Sequence, residues 1–123
     1  MRRILVFLVL LVLFPSLTWA QALTDAVVSS NSTGNITVVA AVAGKEIHVY
    51  RLLIVVDAAT VLTFRDGAST NLTGAISMLA NGSITLDYDG GSKAWFSTTT
   101  GNAFVINQTG TAQVSGKASY VLR

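Results

Sequence analysis

The 123-residue sequence contains no cysteine, one histidine (His48) and one proline (Pro15). Without cysteine there is no disulfide framework, no thiol nucleophile and no cysteine-based zinc site. One histidine and six acids leave little for acid–base chemistry or a metal-ligand set, so neither cofactor nor metal is expected. No Gly-x-Ser-x-Gly elbow or other nucleophile context occurs, and the expectation is a protein that is not an enzyme. Charge is scarce too, with 8 basic and 6 acidic side chains making up 11% of the chain. Arg2 and Arg3 stand at the extreme N-terminus; leaving them out, 6 basic groups face 6 acidic ones, so residues 21–123 are neutral. Lys45, Lys93 and Lys117 are dispersed and form no basic stripe, which argues against nucleic-acid binding.

What is present begins with a leader. Met1-Arg2-Arg3 is a positive start, residues 4–14 are uninterrupted apolar, and Pro15 breaks the run before the polar Ser16 and Thr18. This is the pattern of a secretory signal peptide over residues 1–20. A helix of that apolar length covers about half of a ~30 Å hydrocarbon core, so an uncleaved anchor is the weaker reading. Small residues at Thr18 and Ala20 favour cleavage after Ala20, with Ala22 as the alternative end. Residues 21–123 are then a single exported domain, secreted, periplasmic or on the cell surface, with no stable membrane span after cleavage.

In that domain glycines recur at 34, 44, 67, 74, 82, 90, 91, 101, 110 and 116, and Val, Ile, Thr, Phe and Tyr fill the stretches between them. Such spacing predicts short antiparallel strands, at 26–29, 35–42, 46–57, 60–65, 72–79, 83–88, 94–98, 103–107 and 111–122. Nine strands in about a hundred residues fit an all-β antiparallel sandwich of jelly-roll type. Several strands alternate in the manner of one buried and one solvent face: Leu62 and Phe64 against Val61, Thr63 and Arg65, and Ile84 and Leu86 against Thr85 and Asp87.

Leu52-Leu53-Ile54-Val55-Val56 departs from this by being apolar on both faces. Either a loop roofs the outer face or a second subunit does. The second alternative makes the protein a homo-oligomer, with Leu52, Leu53, Ile54 and Val55 at or near the contact.

Candidate binding residues are few. Glu46, His48 and Tyr50 share a strand face, but further metal ligands are missing, and a histidine on a sheet face is the simpler account. Asp87-Tyr88-Asp89-Gly90-Gly91 begins like a calcium loop without its later ligands, so a tight turn is expected. Trp95-Phe96, with Tyr88 and Tyr50, could form a platform on which sugar rings stack, and since adjacent strand residues face opposite ways only one of Trp95 and Phe96 can belong to it. Asn31, Asn35, Asn71, Asn81 and Asn107 all lie in Asn-x-Ser/Thr, which are glycan acceptors in a eukaryotic host and otherwise asparagine ending turns before threonine-led strands.

A series of short motifs runs through the domain in order: residues 39–50 (VAAVAGKEIHVY), Phe64-Arg65-Asp66-Gly67, Leu72-Thr73-Gly74-Ala75, Leu79-Ala80-Asn81-Gly82, Trp95-Phe96-Ser97-Thr98 with Gly101, and Gln113-Val114-Ser115-Gly116. In this order they resemble a family of small virion-associated proteins of tailed phages and prophages. The resemblance implies a small all-β module similar to head-decoration or fibre-tip folds, without enzymatic activity, and supplies no site residues. The leader departs from that pattern, since a capsid component assembles in the cytoplasm. Two functions are therefore expected: a structural or adhesive surface module that binds another surface or virion protein or its own copies, or a carbohydrate-binding sandwich using Trp95 or Tyr88.

Overall fold

A computed structural model describes residues 22–123, so the leader and its cleavage at Ala20 lie outside the described residues. Ten strands and no helix make up the described chain: β1 (Thr24–Ser30), β2 (Gly34–Val39), β3 (Ile47–Val56), β4 (Thr60–Asp66), β5 (Thr70–Asn71), β6 (Ile76–Met78), β7 (Ser83–Leu86), β8 (Phe96–Ser97), β9 (Phe104–Gln108) and β10 (Val114–Leu122). They form two antiparallel five-stranded sheets. In one, β1, β10 and β3 lie side by side and β3 meets both β7 and β8 on its far edge; in the other, β2, β9 and β4 lie side by side and β4 meets β5 and β6.

Counting β5 with β6 and β7 with β8 as two interrupted strands shows the plan. First pairs with last, second with second-last, and so on inward, as in a long hairpin rolled up so that its arms distribute over two sheets. That is the jelly roll expected from the sequence. One expected strand, 72–79, is shortened to β6, and β5 lies just before its expected start. Around Gly74 the chain leaves the ladder, and the Thr73 hydroxyl accepts the Phe64 N–H (3.1 Å) that the missing strand would have taken.

Between the sheets lie Ile47, Val49, Leu52, Ile54, Val56, Leu62, Phe64, Phe104, Ile106 and Val114, all essentially without solvent contact. Phe96 packs its ring on Phe64 (centroids 5.0 Å) and Phe104 (5.6 Å), joining the two sheets near their β8 end. Buried aromatic stacks of this kind add about 0.5–1.5 kcal/mol per pair to area burial.

Strict alternation fails at the end of β2, where the register against β9 steps between Thr37 and Val39 and both Val38 and Val39 are buried, and again in β3. Opposite β10 the register steps from Ser119↔Arg51 to Tyr120↔Val49, leaving Tyr50 as the extra residue of a bulge. Tyr50 and Arg51 therefore both face outward. Before the bulge Ile47 and Val49 point into the core; after it Leu52, Ile54 and Val56 do. The apolar run 52–56 is thus split: Leu52, Ile54 and Val56 have no exposed surface and belong to the core, so of the four candidate contact residues only Leu53 and Val55 are on the outer face. Leu53 and Val55 point outward, each 40% exposed, beside Lys117 and Ser115 of β10.

Asparagines 35, 71 and 107 are not turn residues either. Asn35 and Asn107 face each other across β2 and β9, and Asn71 lies opposite Arg65. The Arg65 guanidinium donates to Asn71 (3.0 Å) and Asn35 (3.0 Å), and the Asn107 amide donates to Asn35 (2.8 Å). These threonine-linked asparagines form a polar cluster on the outer face of the second sheet. Asn81, with φ at 61°, and Asn31, in the loop between β1 and β2, fit the turn reading.

Asp66 is buried at the end of β4 and accepts from the Thr99 N–H (3.0 Å), the Thr99 hydroxyl (2.6 Å) and the Asn102 amide (3.0 Å). Burial by itself pushes this carboxyl up, but the hydrogen bonds from Thr99 and Asn102 outweigh it and hold it below its ordinary value. A depressed folded-state value means that the carboxylate contributes stability above the unfolded-state value of ~3.9, lost as pH falls through the folded one. We expect Asp66→Asn to lower stability by about 1–3 kcal/mol at pH 7 and to flatten the loss below pH 4. Urea midpoints at pH 7 and pH 3 check this; a variant matching the parent at both would reject it.

Candidate functional site

The connection from β7 to β8, residues 87–95, folds over the outer face of the first sheet at the level of the β3 bulge. It bends at Asp89-Gly90-Gly91, where the Asp89 carboxylate accepts the Gly91 N–H (2.8 Å) and Gly90 takes φ of +82°. The hairpin that the sequence suggests there does not form, because β7 and β8 both run antiparallel to β3 and so continue in one direction. Its end is set by β8, which docks on β3 through Trp95 N–H to Val49 O (2.8 Å) and Thr98 N–H to Ile47 O (3.0 Å). On a two-residue strand neighbours alternate, so Phe96 enters the core while Trp95 and Ser97 stay outside.

Between this connection and β3 lies a concave pocket of about 300 Å³, lined by Tyr50, Asp87, Tyr88, Asp89, Lys93, Ala94 and Trp95. Tyr50 forms its floor and is 2% exposed although it faces away from the core. Its hydroxyl donates to Ser92 O (3.1 Å) and accepts from the Arg123 guanidinium (3.0 Å), so its orientation is fixed from both sides. Tyr88 meets Tyr50 edge to face, with centroids 5.4 Å apart and planes at 68°. At the rim the Trp95 indole N–H donates to Asp87 O (2.9 Å), and the residue is still 54% exposed. The structure therefore brings together Trp95, Tyr88 and Tyr50, and excludes Phe96 from the group. Lys93, Asp87 and Asp89 supply polar atoms around the aromatic surface.

Adjacent to the pocket is a second cluster of outward side chains. His48 lies opposite Ser97 in the β3–β8 pairing. Its Nδ1 is 3.3 Å from the Ser97 hydroxyl and its Nε2 is 2.9 Å from Glu46 Oε2, a pattern that the tautomer protonated on Nε2 satisfies. The Thr100 hydroxyl reaches Glu46 Oε1 at 3.5 Å. The sequence places Glu46 and His48 on one face; Ser97, 49 residues away, joins them through strand pairing alone, and no local signal marks it. Hydroxyl, imidazole and carboxylate stand in line, but the serine is on Nδ1 at a long distance and is open to water, which solvates it equally well. That favours a hydrogen-bonding surface over an activated nucleophile.

Comparison with protein-family models, with curated proteins and with solved structures returned no match.

Proposed function

We propose that this protein is a non-enzymatic adhesive module, exported to a cell or particle surface, whose ligand is carbohydrate held in the pocket between residues 87–95 and β3. The observation that supports this is the meeting of a half-exposed indole with two tyrosines in a concavity edged by Asp87, Asp89 and Lys93. Sugar rings present apolar C–H faces and a girdle of hydroxyls. An aromatic plane covers the first, while carboxylates and an ammonium group accept and donate to the second. Trp95 and Tyr50 are held by hydrogen bonds to backbone carbonyls, so little side-chain entropy is lost when a ligand arrives.

A glycan array followed by titration of the selected sugar tests this. Trp95→Ala should weaken binding about tenfold to a hundredfold, the equivalent of the lost burial of one large side chain, without moving the melting temperature appreciably. Unchanged affinity in that variant, or an array without a single hit, would overturn the proposal.

A second reading, assembly with copies of itself, is favoured by the outer face of the first sheet. Val27 (80% exposed), Leu53 and Val55 lie there on β1 and β3, with Lys117 of β10 between Val27 and Leu53. The resemblance to virion decoration proteins points the same way. Light scattering should then show a multiple of the protomer mass.

A further inference from the structure

We propose that the pocket is one end of a groove with two subsites, the second formed by Glu46, His48, Ser97 and Thr100, and that its ligand is an extended, neutral glycan chain of β-1,4 type. This rests on the carbohydrate reading above. The groove follows from register. Val49↔Phe96 and His48↔Ser97 are cross-strand partners, and Trp95 N–H binds Val49 O, so the outward pairs Tyr50 with Trp95 and His48 with Ser97 succeed each other along β3 and β8. Two residues of strand advance about 6.6–6.8 Å, comparable with one pyranose ring and its linkage. A ligand whose first ring stacks on Trp95 therefore has its next ring over His48 and Ser97.

The chemistry of the two positions differs in the way a chain requires. The first is aromatic. The second has a hydroxyl, an imidazole and a carboxylate, already joined by the Ser97–His48 and His48–Glu46 hydrogen bonds and so held in place before binding. The Glu46 carboxylate keeps lone pairs beyond those used by His48 and Thr100, and its side chain is 44% exposed, which lets it accept from neighbouring sugar hydroxyls. A ligand that places successive rings over successive outward pairs must be extended, as β-1,4-linked chains are, and not coiled. Charge selects further: Glu46, Asp87 and Asp89 stand at the groove against Lys93 and the Arg123 guanidinium on the Tyr50 hydroxyl, so an acidic sugar meets three carboxylates and two cations.

The test is a nuclear magnetic resonance titration of the protein with N-acetylglucosamine and glucose and with their β-1,4-linked dimers and trimers. The Trp95 indole N–H reports the first subsite and the backbone amides of His48 and Ser97 report the second. Affinity should rise about tenfold or more from monomer to dimer, as two or three hydrogen bonds are added, with the His48 and Ser97 signals moving only for dimer and trimer. His48→Gln and Ser97→Ala, made separately, should each reduce dimer affinity towards that of the monomer while the Trp95 response to monomer persists, which also shows that the variants are folded. Equal affinity for monomer and trimer, or dimer binding indifferent to both substitutions, would overturn the second subsite and leave the first. No response to any of these sugars, with glycan-array hits elsewhere, would overturn the chain type; no response and no array hit would overturn the carbohydrate reading with it.

Discussion

Leu52→Lys should unfold the protein, whereas the same replacement one residue along, at Leu53, should leave the protomer folded. Leu52 has no solvent exposure and packs between the sheets, opposite Ala118 of β10 and Leu86 of β7. Removing a buried leucine side chain costs about 2–5 kcal/mol by itself, and an ammonium group in its place has no partner there. Together these consume most or all of the ~5–15 kcal/mol by which a domain of this size is stable. Leu53 faces outward and loses little burial. Its lysine stands opposite Lys117, a like-charge pair costing up to ~1 kcal/mol, which Leu53→Glu avoids. Circular dichroism with urea titration separates the two sites. If the outer face joins copies of the protein, both Leu53 variants also reduce the mass seen by light scattering. An unfolded Leu53→Glu would mean that the strand faces are misassigned, and an assembly unaffected by it would exclude this face as the contact.

Gly116→Ala should be nearly as damaging, although it adds a single methyl group in the middle of a strand. Gly116 lies in β10 between Val28 of β1 and Ile54 of β3. A Cβ there would overlap the Leu53 carbonyl oxygen, come within 2.7 Å of the Leu53 carbonyl carbon, and meet Ile54 Cα at 3.1 Å. These are backbone atoms of the neighbouring central strand, so no side chain can turn aside. The φ of +150° also lies where side chains are strained. We expect a loss of about 3 kcal/mol or more, seen as a drop in melting temperature on the order of 12–24 °C. Gly44→Ala is the control. It carries a positive φ (+72°) with nothing within 4 Å of its Cβ position, and backbone strain alone should cost about 1 kcal/mol. Equal losses at the two positions would remove close strand approach as the cause at Gly116.

Much of the architecture is legible because its causes are local. Period-two patterning separates Leu62 and Phe64 from Val61 and Thr63 before any fold is known, and glycine marks most of the turns. The break in the ladder around Gly74 is not legible, since Thr73 substitutes for a strand only because Phe64 is nearby. Nor is the β3 bulge: nothing around Tyr50-Arg51 announces that two successive side chains will share a face. The same holds for the site. Trp95, Tyr88 and Tyr50 are recognisable by type, and the choice of Trp95 over Phe96 awaits the packing of Phe96 against Phe64 and Phe104.

By itself, then, the sequence determined the strands, the all-β class, the neutral domain without thiols, and a short list of aromatic residues able to meet a ligand. All of these follow from side-chain type and spacing over a few residues. The tertiary structure decided which of the two apolar faces of residues 52–56 is core, that asparagines 35, 71 and 107 gather around Arg65, and that Ser97 meets His48. Each depends on register between strands far apart in the chain, and register is settled by the packing of two whole sheets.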